Sequence, residues 1–197
     1  MLERAVLPFD MRKPVLIVID MLNDFLASWA RDDRERLISE INALVEIMRK
    51  EQLPVIWVRQ EFEPDLSDAF PEMRVKNIHT VIKGTEGCQI DSRLNIAPTD
   101  IVIVKKRYSA FHGTNLDEVI ARLQPDCIVI AGINTHACVR TTLIDAYQRD
   151  WPIVVATDCV GSYDHVHHQV TLDYVKDKLA TLRTNSEIQE EIAFARS

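Results

Sequence analysis

The chain has 197 residues, of which 47% are hydrophobic and 27% are charged, as is typical of a soluble globular protein of one domain spanning residues 1–197. Its formal net charge of −7 argues against a nucleic-acid-binding surface or an anionic membrane surface. The first residues contain no long apolar segment, and the four cysteines form no CxxC pair. We therefore expect a cytoplasmic protein without a signal sequence, a disulfide framework or a zinc site.

Short apolar runs alternate with amphipathic stretches along the chain. The runs are rich in Val and Ile, which predicts strands buried on both faces of a parallel sheet; they cover residues 15–20, 54–59, 100–105, 127–132 and 152–158, with a weaker run at 178–183. The helical patterns cover residues 34–52, 115–124, 135–150 and 165–178, with Asn115 and Thr135 as candidate caps. This alternation predicts an α/β fold with helices on both faces of the sheet.

Polar or catalytically suited residues stand where three of the predicted strands end. Asp20 ends the first run, Lys105 ends the third, and the fourth leads through Gly132 to Cys138. A lone buried charge is costly, so Asp20 and Lys105 need each other or a third group. A strand order of 2-1-3-4-5 would bring them together at the point where the order reverses, which is where ligands bind in open parallel sheets.

Two interpretations of Cys138 follow from this arrangement. The position of Cys138 in the first turn of a helix and close to Lys105 favours its thiolate form, and Asp20 would then act as the general base that takes the thiol proton. Alternatively, Cys138 is a small buried hydrophobe and Asp20 and Lys105 are a structural pair. The spacing leaves both interpretations open, whereas Cys127 and Cys159 lie inside predicted strands and are interpreted as core residues.

Three sequence blocks together resemble the isochorismatase-like cysteine hydrolases. They read VLIVIDMLNDF (15–25), VKKRYSAFHGTNL (104–116) and GINTHACVRTT (132–142), and the resemblance extends over residues 14–183. It implies a three-layer α/β/α fold with a six-stranded, mainly parallel sheet, a homo-oligomer, and a catalytic triad of Asp20, Lys105 and Cys138. The second lysine of the block, Lys106, should point to the opposite side of its strand, toward solvent or a salt bridge.

The resemblance also implies a reaction. A cis peptide bond between Ile133 and Asn134 would precede the cysteine helix, and the backbone N–H groups of Asn134 or Thr135 and of Cys138 would form an oxyanion hole. Such a site cleaves the C–N bond of a small amide, ureide or carbamoyl compound through a thioester, without a cofactor. Vinyl ether hydrolysis, the isochorismatase reaction, and a non-catalytic binding protein on the same fold are the alternatives.

The chain departs from the family pattern at two places. Leu22 stands where the family often has Gln, and the stretch RQEFEPDLSDAF (59–70) lacks the histidines of the nicotinamidase metal site, so we predict no such metal. The histidines at 165, 167 and 168 are interpreted as a solvated helix start rather than a metal site. Phe25, Phe111 and His112 are candidates for the substrate pocket, with core packing as the alternative for the aromatic residues.

Overall fold

The computed structural model describes residues 10–176 and 178–197. Its centre is a sheet of six strands in the order β3-β2-β1-β4-β5-β6, with every neighbouring pair parallel. The strands are β1 (Val15–Ile19), β2 (Val55–Gln60), β3 (Ile101–Lys105), β4 (Ile128–Gly132), β5 (Ile153–Val160) and β6 (Thr181–Arg183). The helices are α1 (Asn23–Leu26), α2 (Arg31–Lys50), α3 (Pro71–Lys76), α4 (Leu116–Leu123), α5 (Arg140–Tyr147), α6 (His165–Val175) and α7 (Asn185–Ala195).

The two faces of the sheet are covered by different helices, because successive side chains of a strand point to opposite faces. Leu16 and Val18 of β1 pack in a cluster with α2 and α7, whereas Val15, Ile17 and Ile19 pack in a second cluster with α4 and α5. These two cores separate three layers, so the predicted α/β/α fold is confirmed. No helix in the described part of the chain combines the length and the apolar character that a membrane span requires.

The predicted strand order was wrong at β3. This strand lies at the edge of the sheet, beside β2, and not between β1 and β4. Two of its side chains, Val102 and Val104, are 49% and 36% exposed. A nearly continuous Val/Ile run is typical of a central strand, but the same residues also suit an edge strand, so the composition alone could not place β3.

All four predicted helices are present, with shifted ends. The helix predicted over 34–52 is α2, and its apolar face is buried as expected. The helix predicted over 135–150 begins as a π-helical turn, Thr135–Val139, that runs into α5. Asn115 occupies the predicted N-cap position of α4 but makes no side-chain cap bond, whereas the residue before the π turn is Asn134 and not Thr135.

Candidate active site

Asp20 is the residue at which the chain leaves β1. Its φ of 53° is in the left-handed region, and its N–H donates to the carbonyl of Val58 over 2.8 Å. The backbone is thereby tied to β2 instead of continuing along β1. The carboxylate is fully buried at the carboxyl ends of these strands.

Lys105 reaches this carboxylate from the edge of the sheet. Neighbouring strands are roughly 4.8 Å apart, so the side chain extends past β2 to meet a residue that follows β1. Its Nζ lies 2.7 Å from Oδ2 of Asp20, and both side chains are 0% exposed. The same Nζ donates to the carbonyl of Arg107 over 3.0 Å and to Sγ of Cys138 over 3.4 Å. Asp20, Lys105 and Cys138 therefore meet at one place.

Cys138 is positioned by a loop that is bonded to both neighbouring strand ends. The N–H of Ile133 donates to the carbonyl of Ile19 over 2.9 Å, and the N–H of Thr135 donates to the carbonyl of Gly161 over 2.9 Å. The peptide bond between Ile133 and Asn134 is cis, at the position that the sequence resemblance implied. The π turn then directs Sγ of Cys138 toward Lys105, with the residue only 5% exposed.

The pKa of the Cys138 thiol shifts in the direction opposite to the one expected from the sequence. Burial raises the pKa of the Cys138 thiol, the adjacent Asp20 carboxylate raises it further, and Lys105 lowers it only in part. For Lys105, burial acts to lower the pKa, but Asp20 and Cys138 raise it on balance above its ordinary value. The raised pKa of the thiol is opposite in direction to the effect expected from the helix start and Lys105, because burial and a neighbouring carboxylate both favour the protonated form.

Residues 14–187 match the isochorismatase domain. The chain belongs to the isochorismatase family. It is 32% identical to a probable inactive nicotinamidase of Arabidopsis thaliana, over 92% of this chain and 97% of the relative. It is 30% identical to a ureidoacrylate amidohydrolase of Methylorubrum extorquens, over 76% of this chain and 70% of the relative. Among solved structures, N-carbamoylsarcosine amidase of Thermoplasma acidophilum superimposes with a TM-score of 0.76 at 30% identity, covering 89% of this chain and 98% of that one.

The backbone donors near the thiol are only partly available in this member of the isochorismatase family. The N–H of Thr135 donates to the carbonyl of Gly161, so this one of the two predicted alternatives already has an acceptor. The side-chain Oδ1 of Asn134 is buried without a hydrogen-bond partner among the described residues.

Histidines surround the loop on the side of α6, and their contacts were not anticipated from the sequence. Nδ1 of His136 lies 2.6 Å from Oγ of Ser162, and Nδ1 of His168 lies 2.9 Å from Oγ1 of Thr135. The helix start is capped by Asp164, whose carboxylate accepts from the N–H of His167. Within residues 10–176 and 178–197, no group of at least three His, Cys, Asp or Glu side chains is arranged to hold a metal ion.

A cavity of about 510 Å³ is lined mainly by residues of segment 60–82, together with Phe25 and Tyr108. Phe25 lines it, but of the other two predicted pocket residues Phe111 is buried in the core beside α4 and His112 is exposed, and neither is in the cavity wall. One of the wall residues that were not predicted is Gln60, which ends β2 and pairs with Lys105 in the register of β2 and β3. A polar residue closing an apolar run was the signal that could have identified it. Lys106 forms the predicted salt bridge, to Asp68 over 2.9 Å.

Proposed function

We propose that this protein is a cysteine hydrolase that cleaves a C–N bond of a small amide, ureide or carbamoyl compound through a thioester. The observation that supports this most strongly is the meeting of Asp20, Lys105 and Cys138, with Nζ of Lys105 at 2.7 Å from the carboxylate and at 3.4 Å from the sulfur. The names of two relatives, a ureidoacrylate amidohydrolase and an N-carbamoylsarcosine amidase, describe hydrolysis of bonds of this class.

Acylation begins with the neutral thiol. Asp20 takes the proton from Sγ of Cys138 as the sulfur attacks the carbonyl carbon, so that the carboxylate acts as general base. The N–H groups of Asn134 and Cys138 stabilise the resulting oxyanion. Asp20 then returns the proton to the leaving nitrogen, the C–N bond breaks, and ammonia or an amine departs from the thioester.

Hydrolysis of the thioester uses Asp20 in the same two roles, first as base and then as acid. Asp20 removes a proton from water, the hydroxide adds to the thioester carbonyl, and the C–S bond breaks. The proton passes from Asp20 to the sulfur, which restores the thiol and releases a carboxylic acid from an amide or a carbamic acid from a ureide or carbamoyl compound. Throughout the cycle, the ammonium of Lys105 offsets the negative charge that moves between carboxylate and sulfur.

Ammonia release from a panel of amides and ureides tests the proposal. Cys138→Ala should abolish release, and mass spectrometry should find an acyl adduct on Cys138 of the unaltered protein. Cys127→Ala is the matched control, because Cys127 is also buried but packs against Met11 and not in the site. Equal ammonia release by the Cys138→Ala variant would contradict the mechanism.

A non-catalytic binding protein is the second candidate, favoured by the name of the Arabidopsis relative, a probable inactive nicotinamidase. It predicts that no member of the panel is turned over, while ligands still bind equally well to the unaltered protein and to Cys138→Ala. Production of pyruvate from isochorismate would instead identify the vinyl ether reaction.

A further inference from the structure

Thr135 holds the loop that carries Cys138 through three hydrogen-bonding groups. Its N–H donates to the carbonyl of Gly161, which directly follows β5, and its carbonyl accepts from the N–H of Arg140 at the start of α5. Its Oγ1 lies 2.9 Å from Nδ1 of His168 on α6. The first two bonds involve the backbone alone, whereas the third depends on these two side chains.

The position of Thr135 connects this side-chain bond to both parts of the proposed catalytic group. Thr135 directly follows Asn134, whose N–H is one of the proposed oxyanion donors, and it begins the π turn that contains Cys138. The carbonyl of Asn134 accepts from the N–H groups of Ala137 and Val139, the two neighbours of Cys138. A displacement of Thr135 would therefore move the oxyanion donor and Sγ of Cys138 together.

Water cannot easily replace the ring of His168 at this hydroxyl, because Thr135 is only 1% exposed. A buried hydroxyl that loses its partner keeps the full cost of its desolvation. Without the histidine ring, a movement of the loop that brings the Thr135 hydroxyl to water would therefore be favoured.

His168 is itself held in place by the first turn of α6. Its N–H donates to the carbonyl of Asp164 over 2.9 Å, and the carboxylate of Asp164 caps the helix by accepting from the N–H of His167. Thr171 and Val175 follow His168 at helical spacing and are buried, so this face of α6 is packed against the rest of the protein. A side chain on a packed helix holds a neighbouring group more precisely than one on a loop.

We propose that His168 is a positioning residue, whose ring holds the hydroxyl of Thr135 and thereby keeps Sγ of Cys138 and the N–H of Asn134 in the geometry that the reaction requires. This role rests on the proposed hydrolase function, in which Cys138 is the nucleophile. A displacement of reacting groups by about 1 Å can lower a rate about 10²-fold, so one hydrogen bond in the supporting loop is sufficient to matter.

Alkylation of Cys138 by iodoacetamide reports the position of the sulfur without a substrate. Burial and Asp20 together raise the thiol pKa above its ordinary value, so a sulfur that leaves this environment should form its thiolate at lower pH. Thr135→Val and His168→Leu should each shift the pH profile of alkylation downward by about half a pH unit or more, as followed by mass spectrometry below the unfolding transition of each variant. A contribution to folding stability alone would lower the melting temperature and leave this profile unchanged.

Conservative replacements distinguish the hydrogen bond from the bulk of the ring. His168→Asn places an amide group near the position of Nδ1, whereas His168→Gln places it near that of Nε2. The asparagine variant and Thr135→Ser should therefore keep the profile of the unaltered protein, and the glutamine variant should resemble His168→Leu. His165→Leu is the matched control, because His165 is an exposed residue of the same helical turn, and it should leave the profile unchanged.

A double variant shows whether the two side chains act through one bond. Thr135→Val combined with His168→Leu should shift the profile no further than the larger of the two single shifts. Additive shifts, or single variants that keep the profile of the unaltered protein, would overturn the proposal. It would also be overturned if the asparagine and glutamine variants of His168 behaved alike.

Turnover separates this role from the hydrolase function. For any amide or ureide that the unaltered protein hydrolyses, His168→Leu should lower kcat at least about tenfold and change KM little, because the lost geometry is needed in the transition state. Shifted alkylation profiles without ammonia release by the unaltered protein would keep the positioning role and reject the hydrolase. Ammonia release by His168→Leu at the unaltered rate would reject the positioning role and keep the hydrolase.

Discussion

The pKa of the Cys138 thiol is raised by burial and also by Asp20, whose carboxylate opposes a second negative charge beside it. Burial raises the thiol pKa first, Asp20 raises it further, and Lys105 works in the opposite direction. The same carboxylate is the base that removes the proton during the proposed reaction. Asp20 therefore has opposite effects on thiol acidity and on hydrolysis, which makes it possible to separate the two experimentally.

Asp20→Asn should abolish hydrolysis and yet make Cys138 react faster with a small alkylating agent at a given pH. The variant removes the carboxylate that raises the thiol pKa, so the thiolate forms at lower pH while the base for catalysis is lost. Mass spectrometry of iodoacetamide labelling at Cys138, followed over a pH series, measures the shift. Lys105→Met should move the profile to higher pH, and a slower reaction of Asp20→Asn at every pH would contradict this account.

At the scale of residues, the sequence identified the three side chains of the candidate site better than the environment around them. Asp20, Lys105 and Cys138 were identifiable because each follows or ends a buried run, where polar side chains are rarely without a partner. The protonation state of Cys138 was not predictable, because it depends on burial and on the distance to Asp20. Gln60 was missed although it ends β2, since an amide at a strand end is a weaker signal than a charge.

At the scale of elements, the turn after β4 depends on a glycine that no other residue can replace without displacement. Gly132 has a φ of 108°, and a Cβ at this position would overlap the backbone of Ile19 in β1. The next residue, Ile133, donates to the carbonyl of Ile19, so β1 and the cysteine loop are held in direct contact. This close approach sets the position of the π turn that carries Cys138.

Gly132→Ala should therefore lower the free energy of unfolding by about 3–5 kcal/mol, from the positive φ together with overpacking. Gly113→Ala is the matched control, because Gly113 has a φ of 66° and open space around its Cα. It should cost only about 1–2 kcal/mol, the conformational part alone. Urea denaturation compares the two, and equal losses would show that the contact with Ile19 is not important.

Helices α7 and α3 and the edge position of β3 were not predicted, and they differ in how clearly the sequence indicates them. α7 begins with a complete capping box, in which Thr184 and Glu187 bond to each other's backbone N–H groups, and this TNSE pattern is legible in the sequence. α3 is a single short helix with no buried residue, so it has no apolar periodicity to detect. The edge position of β3 was not legible, because strand order depends on tertiary packing.

At the scale of the whole molecule, α6 and the loop before it are connected to the cysteine loop through His136 and His168, whose pKa values are both lowered. Burial lowers the pKa of His136, with His167 adding to this effect and Asp164 opposing it. Burial also lowers the pKa of His168, and electrostatic repulsion from the neighbouring His165, Arg36 and His136 adds to this effect. Both rings bond to hydroxyl groups, of Ser162 and Thr135, that lie where α6 meets the loop.

These depressed pKa values predict that the protein loses stability as the pH falls below about 6.5, the ordinary histidine value. In that range the unfolded chain binds protons that the folded chain does not. The free energy of unfolding therefore decreases until the pH falls below the pKa values that the two histidines have in the folded protein. Urea denaturation at about pH 7.5 and about pH 5.5 measures the loss, above the range in which most carboxylates titrate.

A His136→Asn and His168→Asn double variant keeps a polar group near each hydroxyl and should show a smaller decrease. The control is His112→Asn, at an exposed loop residue, which should retain the full decrease. If the double variant is as sensitive to pH as the unaltered protein, these two histidines are not the groups that couple protonation to folding.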